Sequence, residues 1–194
     1  AISGIGTDAV DLEYARQRGI HVSTTPDVLT ADVADLALGL MLATLRGLCA
    51  GDRYVRAGLW GKQGLPLASR LSGKRVGIIG LGKVGKAIAR RLAAFDCLIS
   101  YCNRRELAGE PYRYEPDVLQ LARDNDILVL TDSADQGRCI VDAAVLDALG
   151  PQGVLINVAR GKLVDEAALV QALQEKRIAG AGLDVFENEP QVPA

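Results

Sequence analysis

Hydrophobic residues along this chain alternate between short apolar runs and segments with a spacing of three to four. Arg75-Val-Gly-Ile-Ile79 reads as a buried strand, and Val84 to Phe95 as a helix with Val84, Ile88, Leu92 and Phe95 on one face. The rhythm then repeats. Leu98–Cys102 predicts a strand, Val118–Ala122 a short helix, Asp126–Leu130 a strand and Val145–Leu149 a helix. Gly153–Asn157 predicts a further strand, Glu166–Gln174 a helix and Ile178–Leu183 a last strand. Apolar strands separated by amphipathic helices, without hairpin signals, imply a parallel sheet covered on both faces. The expected class is α/β, a doubly wound Rossmann-like sheet.

Ahead of this unit, Asp11–Gln17 predicts a helix and His21–Ser23 a short strand, before Thr24-Thr25-Pro26 breaks the pattern. Thr30 is the expected N-cap of the next helix, because its hydroxyl can accept from an orphan backbone amide. In that helix Val33, Leu36, Ala37, Leu40, Met41, Thr44 and Leu45 form one face, and Ala34, Leu38 and Leu42 make the other side apolar too. A helix apolar all round is either central or shared with a partner subunit. The stretch from Arg56 to Gly64 is rich in glycine and expected to be irregular. Both ends read as cut: Ala1-Ile2-Ser3 starts inside what should be a strand, and Gln191–Ala194 is extended. The expectation is a fragment with the end of one domain and most of a second.

Composition narrows the function. With 194 residues, 49% hydrophobic, there is enough apolar surface for a sizeable core. A net charge of −2 and only 4% aromatic residues disfavour nucleic acid and anionic membranes as partners. The run Val33–Leu45 contains Asp35 and is too short to span a bilayer. Cys49, Cys97, Cys102 and Cys139 form no Cys-x-x-Cys pair, so neither a metal site nor a disulfide framework is expected, and the cytoplasm is the expected compartment. His21, the lone histidine, reads as a surface or structural imidazole.

Chemistry enters at the strand ends. Gly80-Leu81-Gly82-Lys83-Val84-Gly85 fits G-x-G-x-x-G between a strand and a helix. Gly80 permits the tight turn, Gly82 lets backbone approach a pyrophosphate, and Gly85 allows helix and strand to pack closely. Asn103 follows Gly80 by 23 positions, at the end of the next strand, where an acidic residue would bond the ribose of NAD. Asn103, Arg104 and Arg105 stand there instead. Guanidinium groups suit a 2′-phosphate, and with no carboxylate opposing them NADP is favoured over NAD. Farther on, Asn157-Val-Ala-Arg-Gly161 carries Arg160, and Gly182–Pro190 carries Asp184 and Glu189, all at the carboxyl edge of the sheet. One arginine and two acids there can bind a small carboxylate and tune a proton donor; Glu187 reads as a solvated neighbour.

Together these three ordered motifs resemble the D-isomer-specific 2-hydroxyacid dehydrogenases. Within that family, the Thr25–Asp35 stretch and the Asn-Arg-Arg turn look most like the NADP-preferring hydroxypyruvate/glyoxylate reductase branch, which includes the hydroxyphenylpyruvate reductases. The resemblance implies that residues 1–27 end a flavodoxin-like substrate domain. Residues 28–194 would form the NAD(P)-binding Rossmann domain, lacking its final strand and helix. It implies a homodimer built on the cofactor domain, with the helix from Val33 suited to the interface.

By the same likeness, Ile5 and Gly6 match the loop that holds the substrate carboxylate, and Arg160 the arginine that orients carboxylate and keto oxygen. Glu189 matches the acid paired with a catalytic histidine. Asp184 and the backbone at Val158 match groups on the nicotinamide carboxamide, and Thr131 falls where the chain passes the cofactor. That histidine lies in a Pro-His pair beyond the Glu-Pro element, past Ala194, and Thr131–Arg138 departs from the family's usual proline- and threonine-rich loop. The expected activity is NADPH-dependent reduction of short 2-keto acids, with the chain as given close to inactive alone. Rival readings are a non-catalytic NAD(P)-sensing, corepressor-like module and an NAD-linked phosphoglycerate or formate dehydrogenase.

Overall fold

The computed structural model describes residues 1–2, 4, 6–7, 10–132 and 139–193. Its centre is a six-stranded parallel sheet: β1 (Arg75–Ile79), β2 (Leu98–Cys102), β3 (Arg113–Tyr114), β4 (Ile127–Leu130), β5 (Val154–Asn157) and β6 (Gly180–Leu183). The order β3-β2-β1-β4-β5-β6 is the doubly wound Rossmann arrangement. In it the order of strand addition reverses between β1 and β4, which opens a crevice at the carboxyl edge.

The helices are α1 (Leu12–Gln17), α2 (Thr30–Arg46), α3 (Leu48–Arg56), α4 (Lys83–Ala93), α5 (Val118–Asp124), α6 (Ala143–Leu149) and α7 (Glu166–Gln174). Side chains of alternate strand residues feed two cores. Val76, Ile78, Val129 and Ile156 pack with α2 and α4 on one face. Leu128, Leu130 and Leu155 pack with α5, α6 and α7 on the other. Each fully buried leucine or isoleucine contributes about 1.5–3 kcal/mol, so strands buried on both faces dominate the stability. Gly77 is needed within β1, because a Cβ there would lie 2.9 Å from Leu121 and 3.0 Å from Asn125. Asn125 is itself buried but satisfied, donating to Ser100 Oγ and the Leu121 carbonyl.

Helix starts differ between the two faces. Asp117, Asp142 and Asp165 each accept a backbone N–H at the start of α5, α6 and α7, as Asp11 does for α1. No side chain caps α2 or α4. Thr30 is therefore not the expected N-cap. Leu29 holds that position because the turn after Pro26 admits the helix one residue early, and the buried Thr30 hydroxyl has no partner among the described residues.

Other expectations also change. His21–Ser23 runs beside Ile2 and Gly4 through the bonds Ile2 N–H to Ser23 O and Thr25 N–H to Gly4 O, but forms no strand. The two backbone bonds among the described residues do not make a ladder. The faces of α2 rotate: Ala34, Ala37, Leu38, Met41 and Leu45 are buried against the sheet and α4, whereas Leu36 is 40% exposed. The buried part of this apolar helix is used inside the chain. One strand and one α-helix escaped the sequence pattern. One is β3. The other is α3, which follows α2 across a 59° bend at the left-handed Gly47 and has no buried residue.

Candidate functional site

The crevice is built first by the turn after β1. Gly80 takes φ +97°, and a Cβ there would lie 2.6 Å from the Asp132 nitrogen. At Gly85 a Cβ would lie 2.5 Å from the Gly80 carbonyl oxygen and 3.0 Å from Thr131 Oγ1. Only glycine lets α4 come this close to β1. The Thr131 hydroxyl then donates to the Gly80 carbonyl at 2.5 Å, tying the end of β4 to the turn.

Around Gly82, by contrast, a Cβ would meet nothing within 4 Å, and α4 starts at Lys83 with no side-chain cap. An uncapped helix N-terminus beside open space fits the pyrophosphate of a dinucleotide. Lys83 pairs through Nζ with Asp27 at 2.6 Å, and Val84 packs onto the core below.

Asn103, Arg104 and Arg105 leave the end of β2 beside this turn. With Gly80, Leu81, Gly82, Leu107, Thr131 and Asp132 they line a cavity of about 390 Å³. Here the structure adds two features that the sequence pattern did not carry. The Asn103 side-chain oxygen is occupied, accepting the Leu81 N–H at 2.7 Å, so Asn103 shapes the glycine turn as well as the basic one. Asp132, at the end of β4, also lines this cavity, so an acidic residue of another strand borders it.

The turn is also held from behind. Tyr114 Oη donates to the Asn103 carbonyl at 3.1 Å, and Tyr101 Oη accepts the Leu107 N–H at 2.9 Å. Partial burial, with Cys102 and Glu106 nearby, raises the Tyr114 pKa, so the phenol keeps its proton and remains a donor. Burial likewise raises the Cys102 and Cys139 thiols, which border an adjoining cavity of about 720 Å³ that shares Asn103, Arg104 and Asp132.

The other half of the edge comes from β5 and β6. Asn157 accepts the Ala159 N–H and donates to the Arg160 carbonyl, both at 3.0 Å, which shapes the turn carrying Arg160. Arg160 is half-buried, and its Nη1 donates to the Ala159 carbonyl at 2.7 Å. Val158 is buried, with its N–H directed to the Leu130 carbonyl at 3.3 Å. The Asp184 N–H donates to the Asn157 carbonyl at 3.0 Å, leaving an exposed carboxylate.

Gly161 brings the two loops together. A Cβ there would lie 2.0 Å from the Phe186 carbonyl carbon, so the loop after β6 lies directly on the turn after β5. Glu189 is exposed and accepts the Phe186 N–H at 2.9 Å, and the Glu187 N–H donates to Glu166 at 2.6 Å. Of the carboxylate loop, Gly6 is half-buried and Ile5 lies outside the described residues, as do residues 133–138. His21 is exposed, in the stretch alongside Ile2 and Gly4. Sequence reasoning missed Tyr101, Tyr114 and Asp132. The spacing that located Asn103 from Gly80 carries no signal for residues arriving from other strands.

Comparison with known proteins agrees with this geometry. Residues 38–194 match the D-isomer specific 2-hydroxyacid dehydrogenase, NAD binding domain. Glyoxylate/hydroxypyruvate reductase A of Arabidopsis thaliana is 54% identical over 190 residues, which cover 97% of this chain and 61% of that protein. The hydroxyphenylpyruvate reductase of Plectranthus scutellarioides is 53% identical over the same shares. A crystal structure of NADPH-dependent glyoxylate/hydroxypyruvate reductase from Sinorhizobium meliloti, in complex with NADP and malonate, superposes with a TM-score of 0.91 at 51% identity. That match covers 98% of this chain and 60% of that one. The chain thus spans about three fifths of the length of these relatives. On the family match and this agreement of fold and sequence, the chain belongs to the D-isomer-specific 2-hydroxyacid dehydrogenases.

Proposed function

We propose that this chain is the nucleotide-binding part of an NADPH-dependent reductase that converts short 2-keto acids of the glyoxylate/hydroxypyruvate type to D-2-hydroxy acids. One observation carries the cofactor choice: Arg104 and Arg105 share a cavity with the glycine turn. Bound NADPH supplies the hydride, and this chain's residues bind and orient. Gly80, Leu81, Gly82, Lys83, Val84 and Gly85 hold the pyrophosphate, Asn103 with Arg104 and Arg105 the 2′-phosphate ribose, and Thr131, Val158 and Asp184 the path toward the nicotinamide.

On the substrate side, Ile5, Gly6 and Arg160 hold the carboxylate, and Arg160 offsets charge growing on the keto oxygen. Glu189 pairs with a proton-donating imidazole from outside these residues. Residues 1–27 belong to a substrate domain and 28–194 to the nucleotide domain. Support comes from relatives named as reductases of these acids and from a structural neighbour described as NADPH-dependent.

Calorimetric titration of NADPH and NADH at fixed ionic strength tests the cofactor assignment. NADPH should bind at least about tenfold tighter. Equal affinities, or a preference for NADH, would overturn it. A panel of 2-keto acids given to the full-length protein tests the substrate assignment, which falls if neither glyoxylate nor hydroxypyruvate is reduced.

The same reading includes a cytoplasmic homodimer. Leu48 (56% exposed), Val55, Trp60 (75%), Leu65 and Leu67 form an apolar arm along and after α3, which a second copy would cover. The described cysteines are all free thiols, which suits a reducing compartment. Sedimentation at micromolar concentration should show a dimer that Trp60→Glu dissociates; a monomer in both would remove the dimer from the reading.

A further inference from the structure

We infer that Tyr101 and Tyr114 are specificity-determining positioning residues: they hold the Asn103–Leu107 turn in the shape that lets Arg104 and Arg105 read a 2′-phosphate. The inference rests on the NADPH reading above and deepens it.

Arg104 and Arg105 are both exposed, on a turn that leaves the sheet at β2. Exposed guanidinium groups on a loose turn lose much of their attraction to the entropy of ordering. This turn is pinned at both ends. Tyr114 donates to the carbonyl of its first residue, Asn103, and Tyr101 accepts from the amide of its last, Leu107. The two tyrosines are register partners across β2 and β3, with ring centroids 5.3 Å apart. Tyr101 is 1% exposed and cannot swing away.

Strand β3 has only two residues, and one of them is Tyr114. Past the turn, Lys86 pairs with Glu110 at 2.5 Å, anchoring the return of the chain to α4. Neither tyrosine lines the 390 Å³ cavity. Removing a phenolic oxygen therefore leaves the lining of this cavity unchanged and alters the hold on the turn.

A merely structural tyrosine would affect both nucleotides alike, whereas a positioning one acts through the arginines. Tyr114→Phe and Tyr101→Phe, each made in the wild-type chain and in an Arg104→Ala/Arg105→Ala background, separate the two by titration with NADPH and NADH. Each single variant should weaken NADPH by about three- to tenfold, the worth of one hydrogen bond, and leave NADH within about twofold. In the arginine-free background the same substitutions should leave the NADPH/NADH ratio unchanged.

Equal losses for both nucleotides, no loss at all, or a ratio change that persists without the arginines would each overturn the inference. If the arginine variant itself weakens NADPH and NADH alike, the selector reading falls and takes this inference with it. A selective arginine variant beside unselective tyrosine variants overturns this inference alone. Should Tyr101→Phe not fold, the half-exposed Tyr114 carries the test.

Discussion

The Leu81 amide donates to the Asn103 side-chain oxygen at 2.7 Å, so a single asparagine belongs to both the glycine turn and the basic turn. Leu81 is 1% exposed, and its amide would lose its one partner among the described residues if that oxygen were removed. Asn103→Ala should cost about 1–3 kcal/mol, the range for an orphaned buried donor. Asn103→Asp keeps the acceptor and should hold the wild-type melting temperature, while its charge repels a 2′-phosphate and welcomes an unmodified ribose. Thermal unfolding and paired titrations check both halves. An Asp variant as unstable as the Ala variant would show that the amide nitrogen, not the oxygen, matters.

Arg104→Ala/Arg105→Ala should weaken NADPH at least tenfold, about 1.4 kcal/mol, with little effect on NADH. Both side chains are exposed, so the wild-type preference should also narrow as salt rises. A preference that is flat between low and high salt would point away from charge as its source.

Asp132 stands in the same cavity as these arginines. A carboxylate bordering this cavity would repel a phosphate bound in it, and Asp132→Asn should tighten NADPH about two- to fivefold while leaving NADH unchanged, on the scale of exposed charge pairs. Unchanged affinity for both nucleotides would mean that the carboxylate turns away from the phosphate position.

Gly161→Ala would force a Cβ to within 2.0 Å of the Phe186 carbonyl carbon, and the loop after β6 must move. Overpacking of this kind costs about 1–3 kcal/mol. In the full-length protein, turnover should fall sharply while NADPH affinity, set by the other half of the edge, stays within about twofold. Loss of nucleotide binding in parallel with turnover would count against this division of the edge.

Asp126 accepts the Arg75 backbone N–H and its Nη2, both at 2.9 Å. Burial alone would raise its pKa, but these bonds outweigh it and the carboxyl lies below its ordinary value. A depressed folded-state pKa contributes stability that is fully present above the unfolded value of about 3.9 and is lost as pH falls through the folded one. Asp126→Asn should therefore destabilise the chain by about 1 kcal/mol at neutral pH, since Arg75 is half exposed. The gap from wild type should close in acid. Denaturant melts at descending pH provide the check, and a gap that persists once the wild-type carboxyl is protonated would assign the loss to packing.

How much was legible in the sequence depends on where each element's signal resides. Strands buried on both faces are continuous apolar runs, and β1, β2, β4 and β5 fall within a residue of the pattern. Strand β3 is Arg113–Tyr114, with no apolar run, and exists through pairing with β2. Helix α3 was hidden because Leu48 and Val55 face outward, breaking the link between periodicity and burial. At the site, the glycine spacing located Asn103 and the following arginines. It could not show that the Asn103 oxygen was already engaged, because Leu81 meets it only once β1 and β2 pair in register. Arg160 and Glu189 were likewise recognisable as motif positions, whereas their bonds to Ala159 and Phe186 depend on how the two loops fold.

The uneven capping of the helices has a consequence of its own. Asp117, Asp142 and Asp165 complete the starts of α5, α6 and α7 from within the sequence, while α4 begins at Lys83, after Gly82, with its first turn open. One layer is finished by the chain itself, and the other is left for an arriving anion to close. A ligand that seals α4 adds its binding free energy to the folded state on that side first, and α2 shares it through the Arg91–Asp35 pair at 2.6 Å. Amide exchange should therefore slow on nucleotide addition mainly along α4 and α2, with α5 to α7 changing least. The sheet would divide a slow-breathing scaffold from a layer whose rigidity tracks the supply of its cofactor.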